Sequence, residues 1–202
     1  LHLNGTGDIL TATSSGIDVT GTINGFGLKD LGNASLLISQ DGGTGTIDGA
    51  THNTGFGYAA FNALTSGDYN VALGVEALAA NLGGSRNIAI GTYSLSSNQT
   101  GNYNTGCGYG TLNLNTASNN TAVGYEVMLD TTGGADNTGL GYRALTNNIG
   151  GNQNTAVGSQ ALQTASTSNG NVAVGYQTAL NFTSSGLTAI GYQASYTNET
   201  GY

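Results

Sequence analysis

The chain has 202 residues with 35 Gly, no Pro, no Trp, three basic and eleven acidic side chains, and a net charge of −8. Ordinary domains carry about a quarter charged residues; here Gly, Thr, Asn and Ser make up about half of the chain, a composition that argues against a conventional single-core enzyme. Three basic residues leave no electrostatic footprint for nucleic acid, and no stretch approaches the roughly 20 apolar residues of a membrane helix or reads as a signal peptide. Neither nucleic acid nor membrane insertion is expected, and Cys107, the one cysteine, cannot close an intrachain disulfide.

Residues 1–50 contain GDILTATSSGIDVTGTINGFG and NASLLISQDGGTGTIDG, short alternating segments separated by Gly and Asn. They predict a β-rich shaft or connector. A boundary is placed at Asp48 to Thr51, where a phased repeat begins, so that residues 51–202 form a second unit. The chain opens at Leu1 without a methionine and stops inside a repeat at Tyr202, and it is read as part of a longer protein.

From Asn53 a nine-residue core recurs: NTGFGYAAF, NVALGVEAL at Asn70, NIAIGTYSL at Asn87, NTGCGYGTL at Asn104, NTAVGYEVM at Asn120, NTGLGYRAL at Asn137, NTAVGSQAL at Asn154, NVAVGYQTA at Asn171 and LTAIGYQAS at Leu187. Its fifth residue is always glycine, at Gly57, Gly74, Gly91, Gly108, Gly124, Gly141, Gly158, Gly175 and Gly191, in steps of 16 or 17 residues. Thr, Val or Ile at the second position, Ala or Gly at the third and an apolar residue at the fourth alternate as in a strand. The glycine reads as a corner. A second short stretch, ending in Leu78, Leu95 or Leu112, leads into a turn rich in Ser, Asn, Thr and Gly.

Two strands per coil predict an all-β fold, a parallel β-solenoid or β-roll of nine coils stacked at about 4.8 Å, about 40 Å long. Stacking sets each residue above its counterpart. The column Asn53, Asn70, Asn87, Asn104, Asn120, Asn137, Asn154 and Asn171 is expected to form an amide ladder that Leu187 interrupts. Each coil supplies about two large apolar residues, at the fourth and ninth positions, both assigned to the core. That core is thin, and the small third position leaves room for the backbone of another chain, so a homotrimer is expected.

The NTAVG and NVALG cores, with their fixed glycine and following small-Leu pair, resemble the YadA-like head repeats of trimeric autotransporter adhesins. They resemble the NTAVGYQAL-type repeats of bacteriophage tail fibres more closely. The resemblance covers Asn53 to Tyr202. It implies a trimeric attachment module, carried on a virion or on a bacterial surface, whose partner is a host cell-surface glycan or protein receptor.

No catalytic, cofactor or metal site is expected. His2 and His52 lie outside the repeats, Cys107 takes the place of Val, Leu or Ile at the fourth position and reads as an apolar filler, and the Gly-rich strings lack the lysine of a phosphate loop. The acids Asp130 and Asp136, or Glu76 and Glu126, are the pairs that a polysaccharide-cleaving tailspike would need; linker and solvent-facing positions are the simpler reading of them. At the sixth position Tyr58, Tyr109, Tyr125, Tyr142, Tyr176 and Tyr192 form a column that reads either as a packing ladder or as platforms for sugar rings. Glu126 and Arg143, one coil apart, are expected to pair. Thr54, Thr105, Thr121, Thr138, Thr155 and Thr188 share a column with Val71, Ile88 and Val172, a mixture that argues against an ice-binding face. The leading expectation is a non-enzymatic tail-fibre module, with an adhesin head and a tailspike depolymerase as alternatives.

Overall fold

Segments that repeat in phase pair with themselves, and register follows from the repeat. The computed structural model describes residues 9–13, 16–23, 26–30, 36–39 and 50–196. Strands β1 (Ile9–Thr13), β2 (Gly16–Ile23), β3 (Phe26–Asp30) and β4 (Leu36–Ser39) form an antiparallel meander. β4 then pairs in parallel with β5 (Thr54–Phe56), Leu36 opposite Thr54.

Strands β6 (Val71–Leu73), β7 (Ile88–Ile90), β8 (Thr105–Cys107), β9 (Thr121–Tyr125), β10 (Thr138–Tyr142), β11 (Thr155–Val157), β12 (Val172–Val174) and β13 (Thr188–Ile190) follow. Each is parallel to its predecessor, in one 13-stranded sheet whose spatial order is the chain order. β5 to β13 are nine parallel strands of a β-solenoid, and the described residues hold no helix. Thr138 lies opposite both Thr121 and Thr155, and Gly139 opposite Ala122 and Ala156, so every column stacks on itself.

The structure corrects three expectations. The first is the strand count, because each coil contributes one strand and not two. Past the corner glycine, the seventh and ninth residues take left-handed φ, for example 51° at Glu126 and 54° at Met128. This stretch still bonds along the rod: Glu126 N–H donates back to the Tyr109 carbonyl at 2.9 Å, and Met128 N–H donates forward to the Ala144 carbonyl at 3.0 Å. The seventh and ninth amides thus reach opposite neighbours, while the eighth bonds inside its own turn, as Ala77 N–H does to the Gly74 carbonyl at 3.4 Å, so the chain curves where an extended strand would run straight.

The second correction concerns which face of the strand lies inside. The third position is buried in all nine coils, whereas the fourth points outward, with Leu140 46% and Ile190 70% exposed. Cys107 is accordingly half-buried on the outer side and is not a core filler. The third correction follows from the second, because the small third residue makes room for the same chain. A Cβ on Gly139 would lie 2.6 Å from Cγ1 of Val127, an eighth-position residue across the coil interior. It offers no approach to another chain.

The core is a spine of ninth-position residues, Leu78, Leu95, Leu112, Met128, Leu145 and Leu162, all fully buried. Eighth-position Ala77, Val127, Ala144 and Ala161 and third-position alanines flank it. The corner glycine has φ of 136° at Gly124, and a Cβ there would collide with the Gly141 carbonyl. The sharp bend and the close approach of the next coil therefore coincide at one residue.

Candidate functional site

Coil spacing is held on one side by buried asparagines. Asn70 Oδ1 accepts the Asn87 N–H at 2.8 Å, and Asn87 Oδ1 accepts that of Asn104 at 2.9 Å. Most of this ladder is therefore side chain to backbone; direct amide-to-amide contacts occur at Asn70 to Asn53 and Asn137 to Asn120. Leu187 ends the column, yet its N–H still donates to Asn171 Oδ1 at 2.8 Å.

A second buried asparagine column at the twelfth position, Asn81, Asn98, Asn115 and Asn148, escaped the sequence reading. The two columns meet at one carbonyl: Gly84 O accepts from Asn70 Nδ2 and Asn81 Nδ2, each at 2.9 Å. Gly151 O likewise accepts from Asn137 and Asn148. The signal lay in Asn three residues ahead of Gly, at Asn81–Gly84, Asn98–Gly101 and Asn148–Gly151, inside turns that looked merely polar.

With asparagine and leucine columns turned in, the preceding residue and the second, fourth and sixth positions are exposed or half-buried in every coil. The fourth column is apolar throughout: Phe56, Leu73, Ile90, Cys107, Val123, Leu140, Val157, Val174 and Ile190. The threonines beside it, in the second column, are exposed or half-buried together with Val71, Ile88 and Val172.

The sixth column is divided. Tyr109 stacks on Tyr125 at 5.3 Å between centroids and Tyr125 on Tyr142 at 5.4 Å, both 11° from parallel; Tyr93, from the seventh position, meets Tyr109 edge-on at 6.0 Å. Tyr176 and Tyr192 form a separate stack at 5.5 Å. Tyr58 is 49% exposed and shares no ring contact with a tyrosine among the described residues. Stacked rings cover one another, so inside each stack solvent meets ring edges and hydroxyls, and an uncovered ring face exists only where a stack ends.

Charge gathers at two points among these outer residues. Arg143 bonds Glu126 through Nη2 at 2.6 Å and Nε at 2.7 Å, and the Glu126 side chain is only 14% exposed, more covered than a solvent-facing position implies. The Glu126 carboxylate, as hydrogen-bond acceptor for the phenol, raises the Tyr125 hydroxyl above its ordinary 10.0, with desolvation and charge repulsion by Glu126 adding to it. Hydrogen bonding and charge from Glu126 likewise raise the Arg143 guanidinium. The second point is the column just before the asparagines, also missed from sequence: His52 stacks on Tyr69 at 4.6 Å, and the Arg86 guanidinium sits 5.3 Å from the Tyr69 ring and 5.4 Å from Tyr103.

No group of three or more metal-ligating side chains converges among the described residues. Glu76 and Glu126 lie three coils apart, about 14 Å along the stack, beyond the roughly 5 to 9.5 Å between paired glycosidase carboxyls. Asp136 accepts Asn119 Nδ2 at 3.0 Å on the surface; His2 lies outside the described residues. The corner glycines all fall in the stack, Gly57 through Gly191, as one column lining the bend. The outer side of the described coils thus carries an unbroken apolar fourth column and a partly stacked tyrosine column. No protein-family profile, curated protein or solved structure matches the chain.

Proposed function

We propose that this chain is a structural and adhesive module of a trimeric phage tail fibre, carried on the virion and attaching it to a glycan or protein on the bacterial host surface. The observation that carries this reading is the outward fourth column, apolar in all nine coils. Monomeric soluble proteins rarely leave so continuous an apolar strip open to water. Its rungs carry no charge and repeat along the rod, so the same strip on another copy of this chain is its natural complement, and three strips meet around a shared axis. In this arrangement homotrimerisation rests on outward side chains and not on the small third residue.

Such a trimer is a stiff rod. It shows each outer column three times, and multivalency turns weak single contacts into firm attachment. Light scattering combined with binding of the labelled intact chain to bacterial cells tests the reading. Three times the single-chain mass and saturable binding to host cells are expected; a folded single chain, or binding to no cell type, overturns it.

A further inference from the structure

One rung of the second asparagine column is built from different residues. In a complete rung the twelfth-position amide supplies two N–H bonds: Asn98 Nδ2 donates to Asn81 Oδ1 of the preceding coil at 3.2 Å and to the Gly101 carbonyl of its own turn at 3.0 Å. That carbonyl is used twice, since Asn87 Nδ2 also donates to it at 2.8 Å. The coil that begins at Asn154 has Ala165 in place of the asparagine and Ser168 in place of the glycine, and both are buried.

The two acceptors of the replaced amide remain. Asn148 Oδ1, buried on the preceding coil, has no hydrogen-bond partner within the protein, and the Ser168 carbonyl receives only Asn154 Nδ2, at 2.8 Å, among the described residues. The buried Ser168 hydroxyl has no partner within the protein either. It enters the same space: a Cβ on Gly151, the corresponding residue one coil earlier, would stand 2.3 Å from Asn148 Oδ1, so a fifteenth-position side chain and a twelfth-position amide compete for one volume. Exchanging Asn and Gly for Ala and Ser takes one non-hydrogen atom out of that volume and two N–H donors out of the ladder.

One water molecule restores both. Its oxygen replaces the atom, its two O–H groups replace the two N–H groups, and a lone pair accepts the serine hydroxyl. We infer that a single buried water is a rung of this column, donating to Asn148 Oδ1 and to the Ser168 carbonyl and accepting from Ser168 Oγ. Three bonds are about the usual number for a buried water, and buried polar groups are seldom left without a partner. Three neutral oxygens fall short of the roughly six or more that a hard cation takes, which makes water the fitting ligand.

Oxygen-17 relaxation dispersion, which counts waters held inside a protein, tests this on the intact chain, together with a high-resolution crystal structure. Ala165→Asn combined with Ser168→Gly rebuilds the amide rung. The native chain is expected to hold one long-lived water more than this double variant. Its crystal structure should show a water oxygen within hydrogen-bond distance of Asn148 Oδ1, the Ser168 carbonyl and Ser168 Oγ. Equal counts in the folded double variant, or a Ser168 hydroxyl bonded directly to protein with no water on Asn148 Oδ1, overturns the inference. If the double variant fails to fold, the native crystal structure decides alone.

Discussion

Asn120 Oδ1 accepts the backbone N–H of Asn137 at 3.0 Å, one coil further along, while its Nδ2 donates to the Gly134 carbonyl at 2.8 Å. One buried side chain thus fixes both the step to the next coil and the path of its own turn. Replacing it by alanine leaves that N–H and that carbonyl inside the protein with their bonds unmade. Each orphaned group costs about 1 to 3 kcal/mol, so Asn120→Ala should lose about 3 kcal/mol in chemical denaturation. Asn181, exposed and outside the left-handed positions, serves as the control, and Asn181→Ala should change stability by no more than about 0.5 kcal/mol.

Backbone handedness makes two opposite predictions. Gly124 combines a φ of 136° with contact against the Gly141 carbonyl, so Gly124→Ala should destabilise by at least about 2 kcal/mol. Glu76 at the seventh position has φ of 54°, and the equivalent residue in another coil is Gly110 at 62°. A non-glycine residue there costs about 1 to 2 kcal/mol, partly offset by the greater freedom glycine has when unfolded. Glu76→Gly should therefore be neutral or stabilising by up to about 1 kcal/mol, and a lowered denaturation midpoint would contradict this account of the turn.

Inward and outward leucines of one coil separate folding from assembly. Leu145 is fully buried, and Leu145→Ala should cost about 2 to 5 kcal/mol wherever the coil is folded. Leu140, 46% exposed, should tolerate Leu140→Asp in a single chain but lose the trimer in light scattering. Retention of the trimer by Leu140→Asp would place the interface on another face.

Cys107 reports on the same strip without altering the fold. It is half-buried in the single chain, in the column assigned to the trimer contact. Thiol modification should be slow in the assembled protein, and faster in Leu140→Asp. Equal rates would show that this column faces solvent in both.

The Tyr125–Glu126–Arg143 cluster predicts a pH response. Because the folded state holds the Tyr125 phenol above its ordinary value, this contribution to stability is present below pH about 10 and is lost as pH rises through the higher folded value. Ultraviolet titration should show Tyr125 ionising late, and Glu126→Gln should bring it back toward the ordinary value. Unchanged titration in Glu126→Gln would remove the carboxylate as the cause.

Much of the solenoid was legible before any coordinates. Glycines at a constant step from Gly57 to Gly191 and asparagines from Asn53 to Asn171 define columns, because only stacked, equal coils bring residues 16 or 17 apart into contact. The fold class, the asparagine ladder, the buried ninth-position leucines and the Glu126–Arg143 pair follow from that single fact. What the pattern could not say is which face of each strand lies inside. Alternation of period two has two faces, and apolar Leu140 looked like the inner residue because Gly139 has no side chain to bury. Only the tertiary structure decides, by filling the space over Gly139 with Val127 and turning Leu140 out. The left-handed turn after each glycine and the joining of the two asparagine columns at one carbonyl also needed three dimensions, since each depends on how one coil sits on the next.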